Sequence, residues 1–146
     1  METVRVSVLV VEDDAQARKL LCRLLAQVGY EVHEACDGFE ALKRMQELPC
    51  EVVVTDYRMP NLNGLELLEI IRDRWPHTPV IVVSGEPAEM AWLVSRQGGY
   101  AWIRKPYKPG QILSIVRSAV EQASNMLIAF DSSSVAHSAA PDRIRT

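Results

Sequence analysis

Residues 52–68 read VVVTDYRMPNLNGLELL, and the fold follows from how that stretch divides. Val52, Val53, Val54 and Thr55 form a short, continuous β-branched run, the pattern of a strand covered on both faces. Asp56 closes it. The loop that follows, DYRMPNLN, contains Pro60 and ends at Asn63, and Gly64 precedes a helical pattern expected over residues 65–75. An apolar strand, a polar residue at its carboxyl end, a loop and then a helix make one β–α unit.

The same unit repeats on either side. Residues 6–11 (VSVLVV) predict a buried strand. Residues 15–28 predict a helix with Leu20, Leu21, Leu24, Leu25 and Val28 on one stripe, Asp14 as its N-cap and Gly29 as its stop. A strand over 31–35 leads to a helix over 39–48, with Ala41, Leu42 and Met45 inward and Pro49 just beyond. A strand over 80–83 follows Pro79. A weaker helix, expected to be short or mobile, falls within 88–97. A strand over 101–104 leads to a last helix over about 110–130, whose stripe is Ile112, Val116, Ala119, Val120, Ala123 and Leu127. Five alternating strands and helices predict an α/β domain with a doubly wound parallel sheet. Ligands of such sheets bind outside the carboxyl ends of the strands, where the winding reverses.

The chain has 146 residues, which suits one domain, expected over 1–130. Residues 131–146 (DSSSVAHSAAPDRIRT) are rich in Ser and Ala and predict a flexible C-terminal tail. Residues 126–130 (MLIAF) are apolar all round; they suit a homodimer contact or a partner groove, or a fold back onto the domain. A formal charge of −3 gives no reason to expect direct nucleic-acid binding. The longest apolar runs fall far short of a membrane span, and the acidic run Glu12–Asp13–Asp14 comes too early for a secretory signal. A cytoplasmic protein without membrane insertion is expected. Cys22, Cys36 and Cys50 are an odd set without a Cys-x-x-Cys pair, which predicts free, mostly buried thiols. No Gly-x-x-x-x-Gly-Lys-Ser/Thr loop is present, and the three histidines share no metal-ligand spacing.

The polar residues that interrupt this pattern fall at strand ends. Glu12 and Asp13 follow the first strand, Asp56 ends the third, Ser84 the fourth and Lys105 the fifth. If the first and third strands are neighbours, three carboxylates converge and raise one another's proton affinity. A hard divalent cation relieves that repulsion, and Mg²⁺ takes oxygen ligands while keeping several waters. A carboxylate can also attack phosphorus and form an aspartyl phosphate. Asp56 is the best-placed nucleophile, Lys105 a point charge for phosphoryl oxygens, and Ser84 a hydrogen-bond donor.

The constellation VVED, VVVTDYRMPNLNGLELL, VIVVSG and IRKPY, in that order over about residues 4–125, resembles the response-regulator receiver family of two-component signalling. The resemblance implies a flavodoxin-like five-stranded sheet of order 2-1-3-4-5. It makes Asp56 the phosphoacceptor, Asp13 a direct Mg²⁺ ligand with Glu12 helping through water, and the Arg58 backbone carbonyl a further ligand. It gives Ser84 and Lys105 contacts to the phosphate and implies a cis peptide at Lys105–Pro106. The donor would be a histidine kinase or a histidine phosphotransfer protein. The output would be an unidentified protein met by a stand-alone receiver, which is a binding switch rather than a metabolic enzyme.

Some residues depart from the family pattern. Trp102 stands where a smaller aromatic ring is usual, at the position that turns inward as Ser84 moves toward the phosphate. Asn63 replaces a frequent Asp and reads as a turn residue. Arg58 and Glu86, two residues beyond Asp56 and Ser84, flank the mouth of the site with opposite charges and suggest a pair that slows loss of the phosphate. Two alternatives stay open. One is a receiver cut from a larger DNA-binding regulator. The other is a small Mg²⁺-dependent aspartyl-phosphate phosphatase, for which no general acid is evident.

Overall fold

The computed structural model describes residues 5–87 and 89–136, with side chains through residue 125. Five strands and five helices alternate: β1 (Ser7–Val11), α1 (Ala15–Gln27), β2 (Glu31–Ala35), α2 (Gly38–Glu47), β3 (Val52–Asp56), α3 (Gly64–Arg74), β4 (Val80–Ser84), α4 (Glu89–Arg96), β5 (Ala101–Arg104) and α5 (Pro109–Ala136). The strands form one sheet of order β2-β1-β3-β4-β5, with every neighbouring pair parallel. This is the doubly wound architecture that the alternation predicts.

Residue alternation along the strands builds two cores. Leu9, Val11, Val53, Val80 and Val82 pack against Ala41, Met45, Leu67, Leu68, Ile71, Met90 and Val94 of α2, α3 and α4. Val8, Val10, Val52, Val54, Ile81, Val83 and Ile103 pack against Leu21, Leu25, Ile112, Val116 and Ala119 of α1 and α5. Because both faces are covered, β3 and β4 are buried along their whole length. Continuous Val and Ile runs satisfy that requirement, whereas alternating polar residues would leave unpaired groups in the core.

Helix starts follow local chemistry. The Asp14 side chain accepts from the Ala17 N–H at the head of α1, and Asp37 does the same for Glu40 at the head of α2. Asn63 is more than a turn residue. It caps α3 in a reciprocal box with Glu66, each side chain accepting the other's backbone N–H at 2.9 Å. Gly29 ends the α1 segment with φ of 103°, in the left-handed region that favours glycine.

The α1 stripe is narrower than its sequence suggests. Leu21 and Leu25 are buried, but Leu20 and Val28 are 64% and 54% exposed. A single sheet face reaches side chains one turn apart; Leu20 lies at the edge of that arc, and Val28, the C-cap, lies beyond the last residue of the helix. The cysteines are free but not mostly buried: Cys50 is buried, Cys22 half-buried and Cys36 exposed. Helix α4 is short, as expected, at eight residues. Helix α5 runs through Ala136, beyond the end near residue 130 and into the expected tail. The rest of that tail, 137–146, lies outside the described residues, as do the side chains of MLIAF.

Gly64 positions the chain where β3 passes into α3. A Cβ there would lie 2.6 Å from the Asp56 carbonyl oxygen and 2.8 Å from the Tyr57 Cα, both backbone atoms. Gly64→Ala is therefore expected to destabilise the fold by about 1–3 kcal/mol through overpacking. At Gly110, in the first turn of α5, an added Cβ meets nothing within 4 Å. Gly110→Ala is expected to stabilise by about 0.4–1 kcal/mol. Urea midpoints for the two variants, at unchanged slope, check both signs.

Candidate functional site

The strand order sets β3 between β1 and β4, with β5 beyond β4. The carboxyl ends of these strands and the loops that leave them therefore share one rim. Backbone bonds fix that rim. The Tyr57 N–H donates to the Val83 carbonyl at 2.9 Å, and the Lys105 N–H to the Ser84 carbonyl at 2.9 Å. The Thr55 hydroxyl donates to the Asp56 carbonyl at 2.9 Å. Thr55 was missed in the sequence; its signal is a hydroxyl inside an otherwise apolar strand.

Glu12, Asp13 and Asp56 converge, each with a carboxylate oxygen within 4.8 Å of those of the other two. Glu12 and Asp56 are buried and Asp13 is exposed. Lys105, 93 residues from Glu12 in sequence, reaches both buried acids. Its Nζ lies 2.6 Å from Asp56 Oδ1 and 3.3 Å from Glu12 Oε1. The Lys105–Pro106 peptide is cis. Glu12 Oε2 also accepts the Asp14 N–H at 3.1 Å. The Ser84 hydroxyl, buried at the end of β4, accepts the Glu86 N–H at 2.9 Å.

Burial dominates the electrostatics. It pushes the Asp56 carboxyl above the usual carboxylate range, against the hydrogen bond and charge of Lys105. Asp13 adds to the rise, and the Arg58 backbone N–H opposes it. Burial likewise raises Glu12, with Asp56 adding to the rise and Asp14 and Lys105 opposing it. Burial works against the Lys105 ammonium too, but Asp56 and then Glu12 outweigh it and hold the lysine above its usual range. The two buried acids thus carry an unrelieved cost of ionisation that a further cation would reduce. Three carboxylates of this kind, all oxygen donors with one of them open to solvent, fit Mg²⁺.

An open groove of about 460 Å³ adjoins the acids, lined by Asp13, Tyr57, Arg58, Met59, Pro60 and Asn63. It leaves open space beside Asp13. At its mouth Arg58 Nη2 lies 2.5 Å from Glu86 Oε2, with side chains 76% and 24% exposed. The charges that the sequence places at the two flanks are thus paired. Trp102 is half-buried against the core cluster of α2, α3 and α4, opposite Val82 in the β4–β5 register. Its indole Nε1 is buried without a hydrogen-bond partner among the described residues.

The structure therefore brings together Glu12, Asp13, Asp56, Ser84 and Lys105, and sets Arg58 and Glu86 at the entrance. Trp102 lies one strand away, on the sheet face that carries α4. None of these contacts is local in sequence except those within the loops.

Comparison with known proteins gives the same picture. A family model described as "Response regulator receiver domain" matches residues 8–117. The hydrogenase transcriptional regulatory protein HoxA of Cupriavidus necator is 34% identical over 123 residues, covering 83% of this chain and 25% of HoxA. The chain thus spans about a quarter of that relative. Among solved structures, a CheY-like response regulator receiver domain protein from Methanospirillum hungatei superposes with a TM-score of 0.80 at 25% identity, covering 84% of this chain and 99% of that one. NtrX from Brucella abortus superposes with a TM-score of 0.82 at 29% identity, over 88% of this chain and 29% of its own. By sequence, fold and the acidic rim of its sheet, this chain belongs to the response regulator receiver domains of two-component systems.

Proposed function

We propose that the chain is a phosphoacceptor switch in a phosphorelay, with Asp56 as the residue that is phosphorylated. The observation that carries this reading is the Asp56 carboxylate at the sheet rim, with Lys105 Nζ at 2.6 Å and the oxygens of Glu12 and Asp13 within 4.8 Å. Glu12, Asp13 and Asp56, with the backbone carbonyl of Arg58, would hold Mg²⁺. That ion supplies positive charge against the carboxylates and the incoming phosphoryl oxygens. The donor is a phosphohistidine on a histidine kinase or phosphotransfer protein. An Asp56 oxygen forms the bond to phosphorus as the bond from phosphorus to the imidazole nitrogen breaks. Lys105 is free to follow the new charge, because its flexible ammonium can exchange a carboxylate oxygen for a phosphoryl oxygen. Ser84 has a hydroxyl proton available for a phosphoryl oxygen, since its contact to Glu86 uses the oxygen as acceptor.

The output is a change of protein contacts through a population shift between two conformations. Trp102 is the candidate relay from Ser84, since its ring lies in the β4–α4 core and its N–H has no hydrogen-bond partner among the described residues. The Arg58–Glu86 pair would restrict water at the acyl phosphate. An exposed pair contributes only about 0.2–1 kcal/mol to stability, so its effect is steric.

The relatives favour a second reading of the output. HoxA is named a transcriptional regulatory protein, and MtrA of Mycobacterium bovis, 27% identical with 54% of its length covered, a DNA-binding response regulator. In such a protein the receiver would control an attached DNA-binding part, so nucleic acid belongs among the partners of that reading. Among the described residues no helix is long and apolar enough to cross a membrane.

Acetyl phosphate is expected to label the chain at Asp56 only, and only with Mg²⁺ present. Asp56→Asn should abolish labelling. Intact mass and peptide mapping decide this, and metal-independent label, or label elsewhere, overturns the assignment. The affinity for Mg²⁺ should fall as pH is lowered, because protons compete for the acids. Glu12 and Asp56 hold protons more tightly than ordinary carboxylates, so the fall should begin at a higher pH than for an exposed acidic site. Calorimetric titrations across pH check the sign. Arg58→Ala should lose phosphate several-fold faster than wild type in a single-turnover decay, and an unchanged rate removes the gate.

A further inference from the structure

Arg18 joins three segments around the acidic rim. Its Nη1 donates to the Glu12 backbone carbonyl at 2.8 Å, and its Nε to Glu34 Oε1 on β2 at 2.9 Å. Its own N–H donates to the Asp14 carbonyl at 2.9 Å, the first rung of α1, so its Cα is rigidly placed. The side chain is only 16% exposed.

The Glu12 carbonyl needs a partner from outside the sheet. Strand β1 ends at Val11, and the Glu12 N–H still donates to the Ala35 carbonyl of β2 at 3.0 Å. The peptide unit after it, which joins Glu12 to Asp13, has left the ladder. A guanidinium on its carbonyl fixes how that unit is turned, and so where the Asp13 backbone sits. Among the described residues the Asp13 carboxylate accepts no hydrogen bond, so this backbone is what aims it.

The choice of arginine runs against local preference. A cation in the first turn of a helix sits at the positive end of the helix dipole. Here that turn also adjoins a site that needs negative charge. Glu34 resolves both conflicts by pairing with the guanidinium, which then acts as a nearly neutral strut. Lysine could not do the same, because a single ammonium lacks the planar fork that serves two acceptors, one in the loop after β1 and one on β2.

We infer that Arg18, braced by Glu34, is a positioning residue that holds the Glu12–Asp13 peptide in the orientation required to bind the cation. This rests on the Mg²⁺ reading of the acidic rim. Loss of an outer partner of this type typically weakens metal binding about 10-fold or more. The strut acts before any phosphate arrives, so it is visible without phosphorylation.

The test is Mg²⁺ titration, by calorimetry with MgCl₂ alone, of wild type, Asp13→Asn, Arg18→Met, Arg18→Lys and Glu34→Gln. Thermal melts without Mg²⁺ are measured alongside. Arg18→Met is expected to raise Kd about 10-fold. Amide exchange at Asp13 and Asp14 in the metal-free protein should quicken in the same variant. Arg18→Lys should recover part of the loss. Glu34→Gln leaves an uncompensated cation near the site, so its loss of affinity should shrink as salt rises. Asp13→Asn separates the two possible failures. If it binds Mg²⁺ like wild type, or wild type does not bind at all, the metal reading itself falls. If Asp13→Asn loses binding while Arg18→Met stays within twofold of wild type, only the strut is overturned. Should Arg18→Met fail to fold, Arg18→Lys binding like wild type with unchanged amide exchange overturns it equally.

Discussion

Three carboxylates are held together at the rim of a sheet, two of them out of water, and one lysine ammonium is set against them. Nearly everything else in the molecule serves or answers that concentration of negative charge. Glu12 and Asp56 would each ionise easily in solvent; burial makes ionisation costly, Asp56 makes it costlier for Glu12, and Asp13 makes it costlier for Asp56. Lys105 relieves part of this through direct contact with both. The remainder is a cost that a bound cation would lower, and the proposed Mg²⁺ and phosphoacceptor roles draw on it.

The scaffold makes such a costly arrangement tolerable. Strands β3 and β4, buried on both faces, carry Asp56 and Ser84 to their last residues, so neither end can drift without disturbing a packed core. Around this rigid floor lie side chains held by few contacts. The Arg58–Glu86 pair bridges two loops, Lys105 has a flexible stem, and the buried Ser84 hydroxyl accepts the Glu86 N–H from its own loop. A switch needs this division. In the proposed function the acceptor must stay in place while the groups that sense its charge rearrange.

Much of this was legible along the chain. VVVTD shows a strand that ends in an acid, and five such units imply a parallel sheet with its site at one rim. The caps at Asp14 and Asn63 and the stop at Gly29 are local and were readable as helix boundaries or turns. Other features were not. The α1 stripe looked five residues long because periodicity shows which side chains share a face, not how far the opposing sheet or the helix itself extends; Leu20 lies past the edge of the buried face and Val28 past the helix end. Helix α5 continues through residues whose Ser-rich composition suggested a tail, since serine lowers helix propensity only modestly. Thr55 and Arg18 passed unnoticed because each acts on a backbone carbonyl, and sequence motifs record side-chain chemistry rather than the unpaired peptide groups it satisfies.

The elements, their alternation and the chemical types at each strand end can thus be read along the chain, because these depend on residues a few positions apart. Only the tertiary structure decided which of those ends meet. The contact between Lys105 and Glu12 spans 93 residues. The Arg58–Glu86 pair also exists only once β4 has been laid beside β3, and Arg18 reaches Glu34 only once β2 lies beside β1. Strand order is a property of how whole faces bury one another, and no local pattern encodes it directly. It is that order which turns scattered acids into one site.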